Sequence, residues 1–172
     1  MEFCRWLSAK TGRQFSLPDE AQWEWACRCG SAEAMSYGNV DADFGTLANL
    51  ADRRFVLVGD TGQWPTSAFD WIPKVAAVDD SARVTADVGK YAPNAWGLHD
   101  MHGNAAEWTR SLYRPYPYQE GDGRNDPAAA GPRVVRGGSF HDRPHRARSA
   151  FRLAYPAWAG VYGVGFRVVC ED

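Results

Sequence analysis

No apolar run in the chain approaches the ~18 residues of a bilayer-spanning helix, so no membrane span is expected. A charge excess of one sign is missing too: 19 Lys and Arg face 21 Asp and Glu, a net charge of −2. General attraction to nucleic acid or to an anionic membrane is therefore not expected, and any binding must be local. Cysteine is scarce, and Cys4, Cys27, Cys29 and Cys170 lack paired metal-ligand spacing. Cys27-Arg28-Cys29 is too tight for a zinc knuckle, so the four read as reduced core or surface thiols. Residues 1–12 follow a helical pattern rather than that of a signal peptide, which leaves the compartment undetermined. No internal repeat or linker stands out.

What is present fits one domain of 172 residues with its own core. Eight Trp, eight Phe and seven Tyr, beside 17 Gly and 10 Pro, imply an aromatic core with many turns. Phe3, Trp6 and Leu7 recur at helical spacing and Gly12 follows, predicting a short amphipathic helix over 2–11 whose apolar face needs a partner. Asp19 and Gln22 form a capping-box pattern that opens a second helix ending before Gly30, with Trp23 and Ala26 toward the core. From Met35 to Lys90 no periodicity is sustained, and the reading is mostly mobile loop with short apolar runs such as Phe55-Val56-Leu57-Val58. Residues 104–108 suit a turn or short strand, and the prolines of 113–118 demand extended chain. Strands are expected at 133–135 and 166–169, with 149–153 a third candidate.

Four ordered segments carry a family resemblance: Leu17-Pro18-Asp19-Glu20-Ala21-Gln22-Trp23-Glu24-Trp25-Ala26, Pro93-Asn94-Ala95-Trp96-Gly97-Leu98, Asp100-Met101-His102-Gly103-Asn104-Ala105-Ala106-Glu107-Trp108, and Arg133-Val134-Val135-Arg136-Gly137-Gly138-Ser139-Phe140 with Val164-Gly165-Phe166-Arg167-Val168 after it. The chain resembles the formylglycine-generating enzyme family, also called the sulfatase-modifying factor domain. The resemblance implies an α+β fold, a loop-rich variant of the C-type lectin fold with little regular secondary structure. The family's opening Gly-rich segment ending in Met-Gly has no counterpart in these residues. A preceding segment or another chain supplying it is an open expectation, as is an export signal upstream.

The resemblance also implies two structural calcium sites. One would use the Asp100 side chain, the Gly103 and Ala105 carbonyls and the Glu107 carboxylate. The other would use the Asn49 side chain, the Leu50 carbonyl, the Asp80 carboxylate and the Ala82 carbonyl. Oxygen donors on irregular loops suit this hard cation. The alternative is that Asp100 and Glu107 accept turn amide protons and Asn49 caps a loop. Family oxidases bind copper(I) through two cysteines after the Arg-Gly-Gly-Ser segment, and soft copper(I) prefers such thiolates. Asp142 and Ala147 stand at those positions, near Ser139, so copper is not expected. His141, Asp142 and His145 suggest a hard-metal centre, but their spacing constrains geometry little and surface hydrogen bonding is the plainer reading. His99 and His102 read as polar surface residues.

Between residues 133 and 152 lie six arginines and no lysine, with aromatic residues among and after them. Arg136 and Arg167 read as structural arginines tying loops through backbone carbonyls. Arg143, His145, Arg146, Tyr155 and Trp158 read as a ligand-binding set, because Arg forks and aromatic faces suit a peptide or an anionic small ligand. The expected function is a family domain that binds such a partner in a groove formed by residues 139–164 without oxidising it. Two alternatives stay open: a formylglycine-generating oxidase acting on a sulfatase cysteine, and the variable ligand-binding protein of a diversity-generating retroelement.

Overall fold

A computed structural model describes residues 1–55 and 73–171. The expected first helix is α1, Glu2–Thr11, stopped by Gly12 in the left-handed region with its N–H donating to the Ser8 carbonyl. A short strand β1, Gln14–Ser16, leads to α2, Glu20–Arg28. The capping box is complete: Gln22 N–H donates to the Asp19 carboxylate and Asp19 N–H to the Gln22 side chain. Trp23 and Cys27 face inward with Met101, and Ala26 and Leu98 pack against them. The apolar face of α1 stays largely uncovered, with Phe3 46% and Trp6 54% exposed.

Strand β2, Ala106–Leu112, is longer than the turn or short strand expected there, because its Thr109, Ser111 and Leu112 are all buried in the sheet. It lies between β3, Pro132–Arg136, and β5, Val164–Phe166, while β4, Leu153–Pro156, borders β3. The resulting four-stranded order β4-β3-β2-β5 has antiparallel pairs at β2/β3 and β3/β4 and a parallel pair at β2/β5. A two-stranded antiparallel sheet joins β1 to β6, Val169–Glu171.

Two strand expectations need correction. The candidate at 149–153 lies further on, as β4, because Ser149 N–H and Phe151 N–H bond outside the sheet to the Ala34 and Arg148 carbonyls. The run 166–169 divides into the end of β5 and the start of β6, two strands of different sheets. The segment 35–90, read as mostly mobile loop, is irregular but supplies much of the core where described. Met35, Phe44, Ala48, Leu50 and Val78 are buried together with Ala147. Val56, Leu57 and Val58 of the short apolar run lie outside the described residues.

Side-chain ties hold this irregular chain. The Arg133 guanidinium donates to four carbonyls, those of Arg110, Asp126, Pro127 and Ala129. Arg136, 1% exposed, donates to the Phe151 carbonyl and to Glu24. Backbone polar groups that no sheet ladder serves find partners in this way. Asp52 accepts N–H groups from Arg54 and Asp80, joining the two described parts of the segment.

Candidate functional site

Short irregular segments meet around Ala147. Strand β3 leads through Gly137 and Gly138 to Ser139, Phe140 and the one-turn helix α3, Pro144–Ala147, which Pro144 opens with its fixed φ. Gly138 has φ 67, and a Cβ there would stand 3.0 Å from Ala147 Cβ, so the two segments are in close apposition. Ser139 N–H and Oγ–H both donate to Asp142 Oδ2, at 3.0 and 2.9 Å. Since Ser139 Oγ gives its proton to Asp142, the His141 ring N–H donates to Ser139 Oγ, at 3.0 Å for Nδ1. Arg146 Nη1 lies 3.2 Å from Asp142 Oδ1 in an off-axis ion pair that leaves this buried oxygen without a hydrogen bond. The three candidates of the His141, Asp142 and His145 cluster diverge: Asp142 is buried, while His141 and His145 are exposed. Among the described residues no group of three or more His, Cys, Asp and Glu side chains could hold a metal ion.

Beneath Ala147 lies His102, only 3% exposed, which corrects its reading as a surface residue. Its tautomer follows from its partners. Ser36 N–H donates to Nε2 at 2.9 Å, so Nδ1 carries the proton and donates to the Ala147 carbonyl at 2.8 Å. Burial pushes its pKa down to about 4, keeping the ring neutral. The Cys27 thiol sits 3.5 Å from Nε2 and from Ser149 Oγ, and burial pushes its pKa up to about 12. Sequence reasoning missed this pair, because Cys27 and His102 are 75 residues apart and meet only where α2 packs on Met101, with Cys27 Sγ 3.7 Å from the Met101 carbonyl.

The ligand-binding set divides. Arg143, His145 and Arg146 are exposed on or beside α3, with the Arg146 guanidinium over Phe151 at 5.8 Å. Beside them, the exposed rings of His141 and Tyr162 stack, and Phe140 meets both edge-on. Tyr155 belongs to β4 and packs its ring on Trp108, and Trp158 in the following turn is 86% exposed. Among the described residues no hydrogen bond, ion pair or ring contact joins Tyr155 or Trp158 to α3.

The oxygen-rich positions are also placed. Asn49, Leu50 and Asp80 come together, Asp80 accepting N–H from Leu50 at 2.9 Å and from Ala82 at 2.8 Å. Asn49 donates its amide protons to the Val84 carbonyl and to Asn104 Oδ1. Burial raises Asp80 to about 6, with the nearby Asp52 adding to the shift. Asp100, Ala105 and Glu107 line one cavity of about 470 Å³. Asp100 Oδ2 accepts from Gly89 N–H, while Oδ1 is buried with no hydrogen-bond partner. The Glu107 oxygens already receive Arg167 and the Trp23 indole N–H. Gly103 permits the approach of this turn to Asn49, because a Cβ at its φ of 80 would stand 2.1 Å from the Asn49 carbonyl oxygen.

The sequence pattern of the sulfatase-modifying factor enzyme 1-like domain matches residues 1–172. The chain belongs to this family. Among curated relatives of the sulfatase-modifying factor family, the formylglycine-generating enzyme of Mycobacterium tuberculosis is 30% identical over 188 residues, covering 98% of this chain and 53% of that protein. The inactive C-alpha-formylglycine-generating enzyme 2 of Mus musculus is 29% identical over 172 residues, covering 96% of the chain and 44% of that protein. The chain thus spans about half the length of these relatives. Treponema denticola variable protein 1 superposes with a TM-score of 0.66 at 26% identity, over 93% of this chain and 49% of that one. PvdO from Pseudomonas aeruginosa, at 24% identity, shares the fold, with a TM-score of 0.68 over 99% of this chain and 58% of that one. The expectation of mixed helix and sheet with little regular structure, in a formylglycine-generating-enzyme-like fold, therefore holds.

Proposed function

We propose that this domain keeps the scaffold of the sulfatase-modifying factor family, lacks its oxidase chemistry, and binds a peptide or an anionic ligand over residues 139–164. The observation that carries the reading is the pair Asp142 and Ala147. Asp142 is a hard oxygen donor bound to Ser139, and Ala147 presents a buried methyl, so neither position offers the thiolate that copper(I) prefers. The residues present at these two positions do not fit copper. Support for binding comes from the exposed Arg143, His145 and Arg146 beside the stacked His141 and Tyr162, a combination of forked donors and aromatic faces suited to carboxylates and planar groups. Trp158, 86% exposed in the turn after β4, is a separate aromatic anchor within the same stretch. A relative named as inactive, at 29% identity, is consistent with a family scaffold that persists without turnover.

The test is copper(I)-supplemented incubation of the purified chain with a Cys-containing sulfatase-type peptide, read by mass loss at the cysteine. No turnover by the folded protein is expected, and turnover overturns the reading. Arg146→Ala should then weaken capture of acidic peptides from a peptide array, and unchanged capture would remove α3 from the surface. The likeness to Treponema denticola variable protein 1 favours a second reading, a variable ligand-binding protein, which sequencing this stretch across isolates would test.

Calcium belongs to the same proposal. The buried, unpartnered Asp100 Oδ1 beside the Ala105 cavity fits one cation position. Glu107 would have to share its oxygens with Arg167 there. At the second position Asp80 would exchange the N–H groups of Leu50 and Ala82 for a cation held with Asn49 and those two carbonyls. In both places the ion would fix loops and would not take part in chemistry.

A further inference from the structure

Away from the α3 surface, α1, β2 and β5 enclose a pocket of about 250 Å³. Its walls are mostly apolar, built from Phe3, Leu17, Trp108 and Phe166. Phe3 and Phe166 meet edge to face at 5.4 Å, leaving each about half exposed at the rim. Two guanidinium groups, Arg110 and Arg133, also line it. Neither makes a close charged hydrogen bond to a carboxylate of the described residues. Arg110 has its carboxylates, Asp19 and Glu171, at 3.5 and 3.7 Å, beyond the roughly 2.7–2.9 Å of a formed charged hydrogen bond, and its Nε is buried without a partner. Arg133 donates only to carbonyls, and no carboxylate of the described residues lies within ion-pair distance of it. Burial lowers the Arg133 pKa from its ordinary value, and the charge of Asp126 opposes the shift.

We propose that this pocket binds a small amphiphilic carboxylate, its apolar body against Phe3, Leu17, Trp108 and Phe166 and its carboxylate on Arg110. An apolar chamber with a few convergent polar groups is the usual form of a small-molecule site. At protein packing density the volume holds about ten heavy atoms, an aryl or branched short-chain acid. The carboxylate contributes what Arg110 lacks, a short bidentate partner, and does so in exchange for the long ion pairs to Asp19 and to the largely exposed Glu171. The site does not depend on the α3 surface, so its failure would leave the binding reading for residues 139–164 untouched.

The probe is 3-phenylpropionate, compared by calorimetry with its neutral amide on the 172-residue chain, while heteronuclear NMR follows the Trp108 indole. The acid should bind at least fivefold more tightly than the amide and shift Trp108. Arg110→Gln should reduce acid affinity at least fivefold and leave amide affinity unchanged. Ala157→Trp, placed in the turn at the pocket wall, should block both without removing any polar contact. Equal affinity for acid and amide, or no binding to the folded wild-type chain, overturns the proposal. Unchanged acid binding by a folded Arg110→Gln chain overturns the role of Arg110. If Arg110→Gln does not fold, the acid and amide comparison with the Ala157→Trp block still decides the outcome.

Discussion

Glu107 holds Arg167 through two hydrogen bonds, Nε to Oε2 at 2.6 Å and Nη2 to Oε1 at 2.7 Å, and its Oε2 also accepts the Trp23 indole N–H at 2.6 Å. One carboxylate thereby ties β2, the link between β5 and β6, and the core face of α2. Arg167 also reaches the His99 carbonyl.

Because of that clamp, Glu107→Gln should destabilise the fold whether or not calcium is present. A neutral amide loses the charge-assisted bonds to Arg167, worth on the order of 2 kcal/mol. Thermal melts in calcium and in chelator should show similar losses. A loss confined to calcium would mean that the ion, not Arg167, is the main partner of Glu107.

Asp100→Asn is the cleaner probe of the ion. Asp100 has φ 57, a conformation that Asn tolerates well, and the substitution keeps an oxygen for Gly89 N–H. Wild-type protein should melt higher in calcium than in chelator, since a ligand of the native state stabilises by mass action. The variant should lose most of that increment and match wild type in chelator. A wild-type melting curve indifferent to calcium removes the assignment.

Glu20 is fully buried and holds Arg124 and Arg152 at once, with Ser111 Oγ on its backbone N–H. Glu20→Gln should cost about 3–5 kcal/mol, because it leaves two arginines without their shared counter-charge. Arg152 also lies between the Tyr113 and Tyr116 rings at 4.4 and 4.6 Å, so their fluorescence or NMR signals should change with it. Urea unfolding checks the magnitude, and a loss under about 1 kcal/mol would mean that solvent reaches the cluster.

Cys27 should resist alkylation at pH 8 while Cys29 and Cys170, both partly exposed, react, and denaturant should release the buried Cys4 and Cys27. Its thiol ordinarily ionises near 9 and in the fold near 12, so the unfolded chain loses this proton first. The stability tied to it is complete below pH 9 and falls as the pH rises from about 9 to about 12. Mass spectrometry of labelled peptides checks the first point. Cys27→Ser, which should flatten part of the alkaline loss, checks the second.

Local signals carried α1 and α2, though not the one-turn α3. Helix α1 ends where Gly12 predicts, and α2 opens at the Asp19 and Gln22 box, since capping depends on residues within one turn of each other. Beta structure was less legible. The strand at 133–135 is legible because the adjacent β-branched Val134 and Val135 mark it, and both are fully buried in the sheet. The division of 166–169 between two sheets depends on partners near both ends of the chain, Ala106 to Trp108 and Gln14 to Ser16.

By itself, the sequence determined the family, the two helices, the structural use of Arg136 and the absence of thiols at positions 142 and 147, because each is written in residue identity or short spacing. Only tertiary structure decided that His102 is buried and neutral beneath Ala147, that Glu107 belongs to Arg167, and that Arg110, with its long ion pairs to Asp19 and Glu171, lines an apolar pocket. Those outcomes depend on which distant segments displace water from a side chain, and no local pattern specifies that in a fold made mostly of irregular loops.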